Sequence, residues 1–230
     1  MSDWKTIWNK RGGADAELTL AGLIAADGFD QGAGRITVEA WQKYVAVVAG
    51  WLAIGPEDSI FDVGCGAGAF VYPFFKEGRI VGGIDYSEAL VAVARRAMAG
   101  LDFSAREACD LDSSPAYDVV VSNSVFHYFP DLAYAEDVLA KMIRKARKSI
   151  AVLELPNADL REEAETSRAS ALPPGEYKKK YRGLRHQFFS KRWIEELGAR
   201  HGCRVQIFDQ QIDDYGNNRF RFNALFHKAD

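Results

Sequence analysis

Cysteine is scarce in this chain: three residues in 230, Cys65, Cys109 and Cys203. They are odd in number and far apart, so they build neither a disulfide framework nor a CxxC metal knuckle, a usage that suits a reducing cytosol. The four histidines, His127, His186, His201 and His227, show no HxxxH or HExxH spacing. That argues against a histidine-built metal site, and no metal is expected. The longest apolar run, YVAVVAGWLAIG (residues 44–55), falls well short of the ~20 residues that span a bilayer. The opening MSDWKTIWNKRGG has no hydrophobic targeting core. Basic residues are not in excess either: a net charge of −3 offers little to a nucleic-acid backbone. The expectation is a soluble cytoplasmic protein, monomer or homodimer, with neither membrane nor nucleic acid as partner.

Apolar residues are plentiful at 48%, enough for a sizeable core. From about residue 58, short β-rich runs alternate with helical stretches, the rhythm of βαβ units and a parallel sheet. The runs are SIFDV (59–63), RIVGGID (79–85), LDFSARE (101–107), DVVVSN (118–123) and SIAVLEL (149–155). Between them, SEALVAVARRAMAG opens on Ser87 as a cap, and DLAYAEDVLAKMIRKARK aligns Leu132, Ala135, Val138, Leu139 and Met142 on one face. After residue 155 the rhythm breaks into a polar helical stretch, then a capped amphipathic helix in SKRWIEELGARHG. RVQIFDQQI and NRFRFNALFHK, joined by DDYGNN, read as an antiparallel hairpin. The fold class is therefore α/β: one doubly wound, mostly parallel seven-stranded sheet with a C-terminal antiparallel hairpin and helical lid segments. Residues 1–55 form a helical cover, and residues 56–230 form the core, with a helical lid inserted at about 156–189.

The chemistry gathers at FDVGCGAG, where Gly64, Gly66 and Gly68 follow a strand that carries Asp62 near its end. A loop turning from strand into helix brings backbone close to a ligand, and glycine tolerates that approach. Asp85 ends the next strand, 23 residues after Asp62, well placed to accept two hydrogen bonds from a ribose diol. Gly64, Gly66 and Ala69 also fit the dinucleotide pattern G-x-G-x-x-A. Against an NAD(P)-dependent oxidoreductase stands Asp62, a carboxylate where a pyrophosphate needs a bare helix N-terminus. Pro73, inside the helix that follows, predicts a short or kinked helix.

With FDVGCGAG, GIDYS and YDVVVSNSVFHYFPD on one chain, the sequence resembles the class I S-adenosylmethionine-dependent methyltransferases, of the small-molecule type, over roughly residues 37–228. The resemblance implies that S-adenosylmethionine is the cofactor. By it, Asp62, Gly64 and Gly66 lie beside the methionine portion, Asp85 holds the ribose and Tyr86 packs on the adenine. Asp110 and Leu111, in ACDL, read the adenine amine, and Asn123 lines the sulfonium side. Trp8 and Arg11 are candidates for the cover and for pairing with the methionine carboxylate.

Methyl transfer is an in-line displacement to an oxygen or nitrogen of a small-molecule acceptor, in which alignment supplies much of the catalysis. A hydroxyl acceptor also gains from a general base. The candidates are His186, His127 and Glu154. Tyr128 follows the fourth strand as a pocket wall. The basic and aromatic stretch GEYKKKYRGLRHQFFS (175–190) contributes Tyr181 and Arg185 as a lid over an anionic or polar substrate, and a solvated helix face is the plain alternative. Tyr215, Asn218 and Arg219, at the DDYGNN tip, open toward the same edge. RNA methylation remains a further alternative.

Overall fold

The strand runs are short stretches of β-branched and aromatic residues closed by polar turns, and all seven form strands. The computed structural model describes residues 4–11, 16–173, 175–180 and 183–228. The chain opens with helices α1 (Trp4–Asn9), α2 (Leu20–Ala26) and α3 (Val38–Trp51). It then alternates: β1 (Ile60–Val63), α4 (Tyr72–Lys76), β2 (Val81–Asp85), α5 (Glu88–Ala97), β3 (Asp102–Ala105), β4 (Tyr117–Asn123), α6 (Leu132–Lys145) and β5 (Ala146–Pro156). Helices α7 (Arg161–Ser170) and α8 (Glu176–Lys180) lie within the lid segment. Helix α9 (Lys191–Arg200) and strands β6 (Cys203–Asp209) and β7 (Arg221–Lys228) complete the chain.

The strand order is β3-β2-β1-β4-β5-β7-β6. Strands β1 to β5 are mutually parallel, and β7 is antiparallel to both β5 and β6. Six strands therefore share one direction. Successive residues along a strand face opposite sides, and here each side is a core. Ile60, Val119 and Ala151 pack with Trp41 and Val48 of α3 and Leu90 and Val91 of α5. Phe61, Val120 and Ile150 pack with Val138, Leu139 and Met142 of α6 and Leu197 of α9. Covering both faces leaves the carboxyl edge of the strands, where the loops lie, as the place for a ligand.

The caps expected at Ser87 and Ser190 form, and Thr37 and Asp131 cap α3 and α6 in the same way. The side chains of Thr37, Ser87, Asp131 and Ser190 accept the N–H groups of Ala40, Leu90, Tyr134 and Trp193 at 2.8–3.4 Å. Pro73 stands at the second residue of a five-residue α4, where its missing N–H costs nothing, so the helix is short. Two expectations need correcting. Helix α6 ends at Lys145, and Ala146, Arg147 and Lys148 open β5, because Ala146 pairs with Tyr117 and the Lys145 ammonium turns to the carbonyls of Asp112 and Pro115. The β6–β7 connection is no tight turn: residues 210–220 fold back inward, clamped by Asn218, whose amide bonds both the N–H (2.9 Å) and the carbonyl (2.6 Å) of Ile212. No helix among the described residues is long and apolar enough to cross a membrane.

Candidate active site

The glycine loop leaves β1 with Gly64 at φ +80° and Gly66 at φ +53°, conformations that a side chain disfavours. Space forbids one as well: a Cβ on Gly64 would meet Val125, and one on Gly66 would overlap the carboxylate of Asp27. Asp85, at the end of β2, accepts the Gly66 N–H at 3.0 Å and the Ser87 N–H at 2.8 Å. Asp27, just past α2, accepts the N–H groups of Ala67 at 2.6 Å and Ala69 at 3.0 Å. Asp62 is buried, and its Oδ1 has no hydrogen-bond partner among the described residues. Three carboxylates therefore converge on one loop. Burial, resisted by the two backbone bonds, raises the Asp27 pKa to about 7. Burial, and then the charges of Asp27 and Asp85, hold the Asp62 pKa well above the usual carboxylate range, and burial raises Asp85 too.

Helix α1 lies across this edge. The Trp4 ring stacks on His186 (centroids 4.8 Å apart) and meets Tyr128 edge-on (4.8 Å), while its Nε1 donates to the Arg185 carbonyl at 3.1 Å. The Tyr86 hydroxyl donates to the Trp4 carbonyl at 3.3 Å, tying the end of β2 to the cover. Trp8 packs edge-on against Tyr128 at 5.6 Å, and its buried Nε1 has no partner among the described residues. Arg11 lies over the Trp8 ring and bonds Asp30 at 3.3 Å, so its charge is already shared.

The other half is built from the ends of β4, β5 and β7. The Tyr44 hydroxyl donates to Asn123 Oδ1 at 3.0 Å. Glu154 sits at φ +63° where the β5–β7 register shifts, so its carboxylate turns inward. There it accepts from Tyr215 Oη, Ser124 Oγ (2.9 Å) and Arg221 Nε (3.2 Å). His127 is buried with its Nδ1 unpartnered among the described residues, and burial, followed by the charge of Arg221, drives its pKa well down. His186 faces His127 edge-on at 5.0 Å, and Arg168 Nη1 contacts its Nδ1 at 2.6 Å. Burial and then Arg168 lower the His186 pKa to about 3. Both halves line one cavity of about 1180 Å³, which reaches from Asp62, Asp85 and Tyr86 to His127, Glu154 and His186.

Several expected residues stand elsewhere. Asp110 is exposed and Leu111 is buried in the core, because the 3-10 turn Ala108–Asp110 presents Glu107 and Ala108 to the cavity instead. Arg185 gives the site its carbonyl while its side chain is exposed. Asn218 is consumed by its loop clamp, and Arg219 pairs at the surface with Glu163; the next cation, Arg221, turns inward. Tyr181 lies outside the described residues. Tyr215 and Tyr128 do line the cavity. Sequence reasoning passed over Asp27, Tyr44, Arg168 and Arg221. Only Asp27 carried a local signal, an acid in a Gly-rich turn ahead of the glycine loop.

Comparison with known proteins bears on this edge. Residues 61–151 match a family described as a methyltransferase domain. The matched stretch holds β1 to the middle of β5, the glycine loop, Asp62 and Asp85. A curated relative, the ubiquinone biosynthesis O-methyltransferase of Nitrobacter winogradskyi, is 28% identical over 89 residues, 37% of this chain. The aligned stretch spans only 34% of that relative's length. Beyond the matched stretch, the whole chain follows two solved folds. Magnesium protoporphyrin IX methyltransferase from Synechocystis PCC 6803 with bound SAM superposes at TM-score 0.65, with 15% identity over 100% of this chain and 98% of that one. The plantazolicin methyltransferase, in complex with a triazolic desmethylPZN analog and SAH, superposes at 0.67, with 15% identity and full coverage of both chains. At that identity the likeness is one of fold: the class I methyltransferase sheet with its antiparallel C-terminal strand.

Proposed function

We propose that this chain is an S-adenosylmethionine-dependent methyltransferase that moves a methyl group to an oxygen or nitrogen of a small-molecule acceptor by in-line displacement. The observation that carries the reading is the state of the glycine loop. The N–H groups of Gly66, Ala67 and Ala69, which would cradle a phosphate, are taken by Asp85 and Asp27, and Asp62 stands behind them with its Oδ1 unpartnered among the described residues. A pyrophosphate meets three carboxylates there. A donor carrying an ammonium and a sulfonium meets complementary charge. Methyltransferase relatives crystallised with SAM or SAH support the same cofactor.

The residues fit that group. Asp62, with Gly64 and Gly66 leaving room beside it, would hold the methionine ammonium. Asp85 would hold the ribose hydroxyls and Tyr86 would flank the adenine. The cofactor supplies an electrophilic methyl on a positive sulfur. The chain supplies alignment, and the aromatic cover of Trp4 and Trp8 excludes water. Residues 1–55 and about 156–189 act as cover and lid around the core. The three cysteines are unpaired, as a cytoplasmic location requires. The acceptor is a metabolite rather than a nucleic acid, and the chain acts as a monomer or homodimer.

Calorimetric titration tests this. S-adenosylhomocysteine should bind and NADH should not, and Asp85→Ala should weaken the former by about tenfold or more. NADH binding, or an affinity indifferent to Asp85→Ala, would sink the reading.

A further inference from the structure

The two ends of the cavity carry opposite charge. One end holds Asp27, Asp62 and Asp85. The other holds two arginines, and their bonding says what they await.

Arg168, on α7, is fixed by its Nε bond to the Ala164 carbonyl (3.3 Å) and sits over the Phe188 ring at 5.9 Å. A guanidinium has only N–H groups to offer. Its 2.6 Å contact with His186 Nδ1 therefore has one direction: His186 accepts at Nδ1, and its ring hydrogen lies on Nε2. His186 is thus a donor toward anything reached by Nε2. Arg168 has no carboxylate at ion-pair distance among the described residues. Arg221, on β7, gives its Nε to Glu154, yet its Nη1 is buried with no partner among them. Glu154 is already held by Tyr215, Ser124 and Arg221. Two cations and one carboxylate leave the wall one positive charge in excess. Both arginines act on the same pair, His127 and His186, so all four groups share one neighbourhood. Trp8 and Tyr128, partly exposed, form the aromatic flank beside them.

We propose that the acceptor is an aromatic carboxylate, its anion received by Arg168 and Arg221 and its ring laid along Trp8 and Tyr128. The proposal rests on the methyl-transfer reading of the same cavity. The opposed charges then orient both reactants, the cationic donor on the acidic end and the anionic acceptor on the basic end, with the methyl between them.

The test compares acids with their own uncharged isosteres. Benzoate, cinnamate and 2-naphthoate, each beside its primary amide, are titrated into the full chain with and without S-adenosylhomocysteine, following tryptophan fluorescence. Each acid should bind about tenfold or more tightly than its amide, a difference set by pairing or orphaning the buried donors. Arg168→Met should bring acid and amide to near parity, and Arg168→Lys should keep part of the preference, with circular dichroism showing that both variants are folded. Amides that bind as well as acids, a preference that survives Arg168→Met, or no acid binding at millimolar concentration would overturn the proposal. If S-adenosylhomocysteine fails to bind while the Arg168-dependent preference persists, the donor assignment falls and the anion site stands.

Discussion

The Asp27 carboxylate accepts the Ala67 N–H at 2.6 Å across 40 residues of sequence, and with the second bond, to Ala69, it clips the N-terminal cover to the glycine loop. One buried carboxylate thereby closes the site and removes the loop's phosphate-binding character. It also explains Gly66, whose missing Cβ leaves the space that Asp27 fills. Holding this charge in a buried place beside Asp62 and Asp85 is costly, and the cost has a pH signature.

Because Asp27 is raised from an ordinary 3.8 to about 7, the folded chain keeps a proton there that the unfolded chain has released over that interval. Its contribution to stability is complete below about pH 4 and is lost as pH rises through about 7, by roughly 4 kcal/mol at most. Denaturant midpoints of the cofactor-free protein should fall across this range, and Asp27→Asn should flatten the curve. Parallel curves for the two proteins would remove Asp27 as the source.

Gly66→Ala should both strain the loop and unseat Asp27. A non-glycine residue held in such a conformation costs of order 1–3 kcal/mol. The variant should lose about that much stability and bind S-adenosylhomocysteine more weakly. Gly78→Ala, equally left-handed at φ +84° but with open space around its Cβ, should lose stability without touching affinity. Chemical denaturation and calorimetry on the pair separate strain from the loss of the clip.

Glu154 and Arg221 form a buried pair, exposed by only 2% and 11%. Glu154→Ala strands the guanidinium and should destabilise the fold by ~3–5 kcal/mol. Tyr215→Phe removes one donor to the carboxylate and should cost ~1–3 kcal/mol. Thermal melts of the two variants give the order, and equal losses would argue against a charge-pair role.

His186, with its pKa lowered to about 3 by burial and Arg168, is neutral wherever the enzyme works, and its Nδ1 lone pair is engaged. The kcat/KM profile should therefore lack a limb near pH 6.5. His186→Gln should reduce kcat far less than the ~10²–10⁴ that a general base contributes. A collapse of kcat with a shifted pH limb would restore His186 as the general base that the sequence suggested.

Much of the fold was legible in local patterns. Strand β1, the cap Ser87, the shortened α4 at Pro73 and the inward hand of Asp62 and Asp85 each follow from a few neighbouring residues. Turn geometry set the limit. The family resemblance implied a cofactor role for Asp110, and the hairpin tip suggested a substrate role for Arg219, but single 3-10 turns rotate them outward and bring Glu107 and Arg221 in. A rotation of two or three positions cannot be read from composition when Glu107 and Asp110, or Arg219 and Arg221, offer the same charge to either side.

By itself, the sequence determined the alternating strands and helices, the glycine loop and the two acids at the carboxyl ends of β1 and β2, one before the last residue of β1 and one last in β2, because periodicity, capping and backbone freedom act within a few residues. Only the tertiary structure decided that Asp27 closes the loop, that Glu154 is neutralised by Arg221, and that Arg168 turns His186 into a donor. Those partners lie 40, 67 and 18 residues apart and meet only when the sheet brings its edges together. Burial there sets their protonation, and burial is a property of the packed chain.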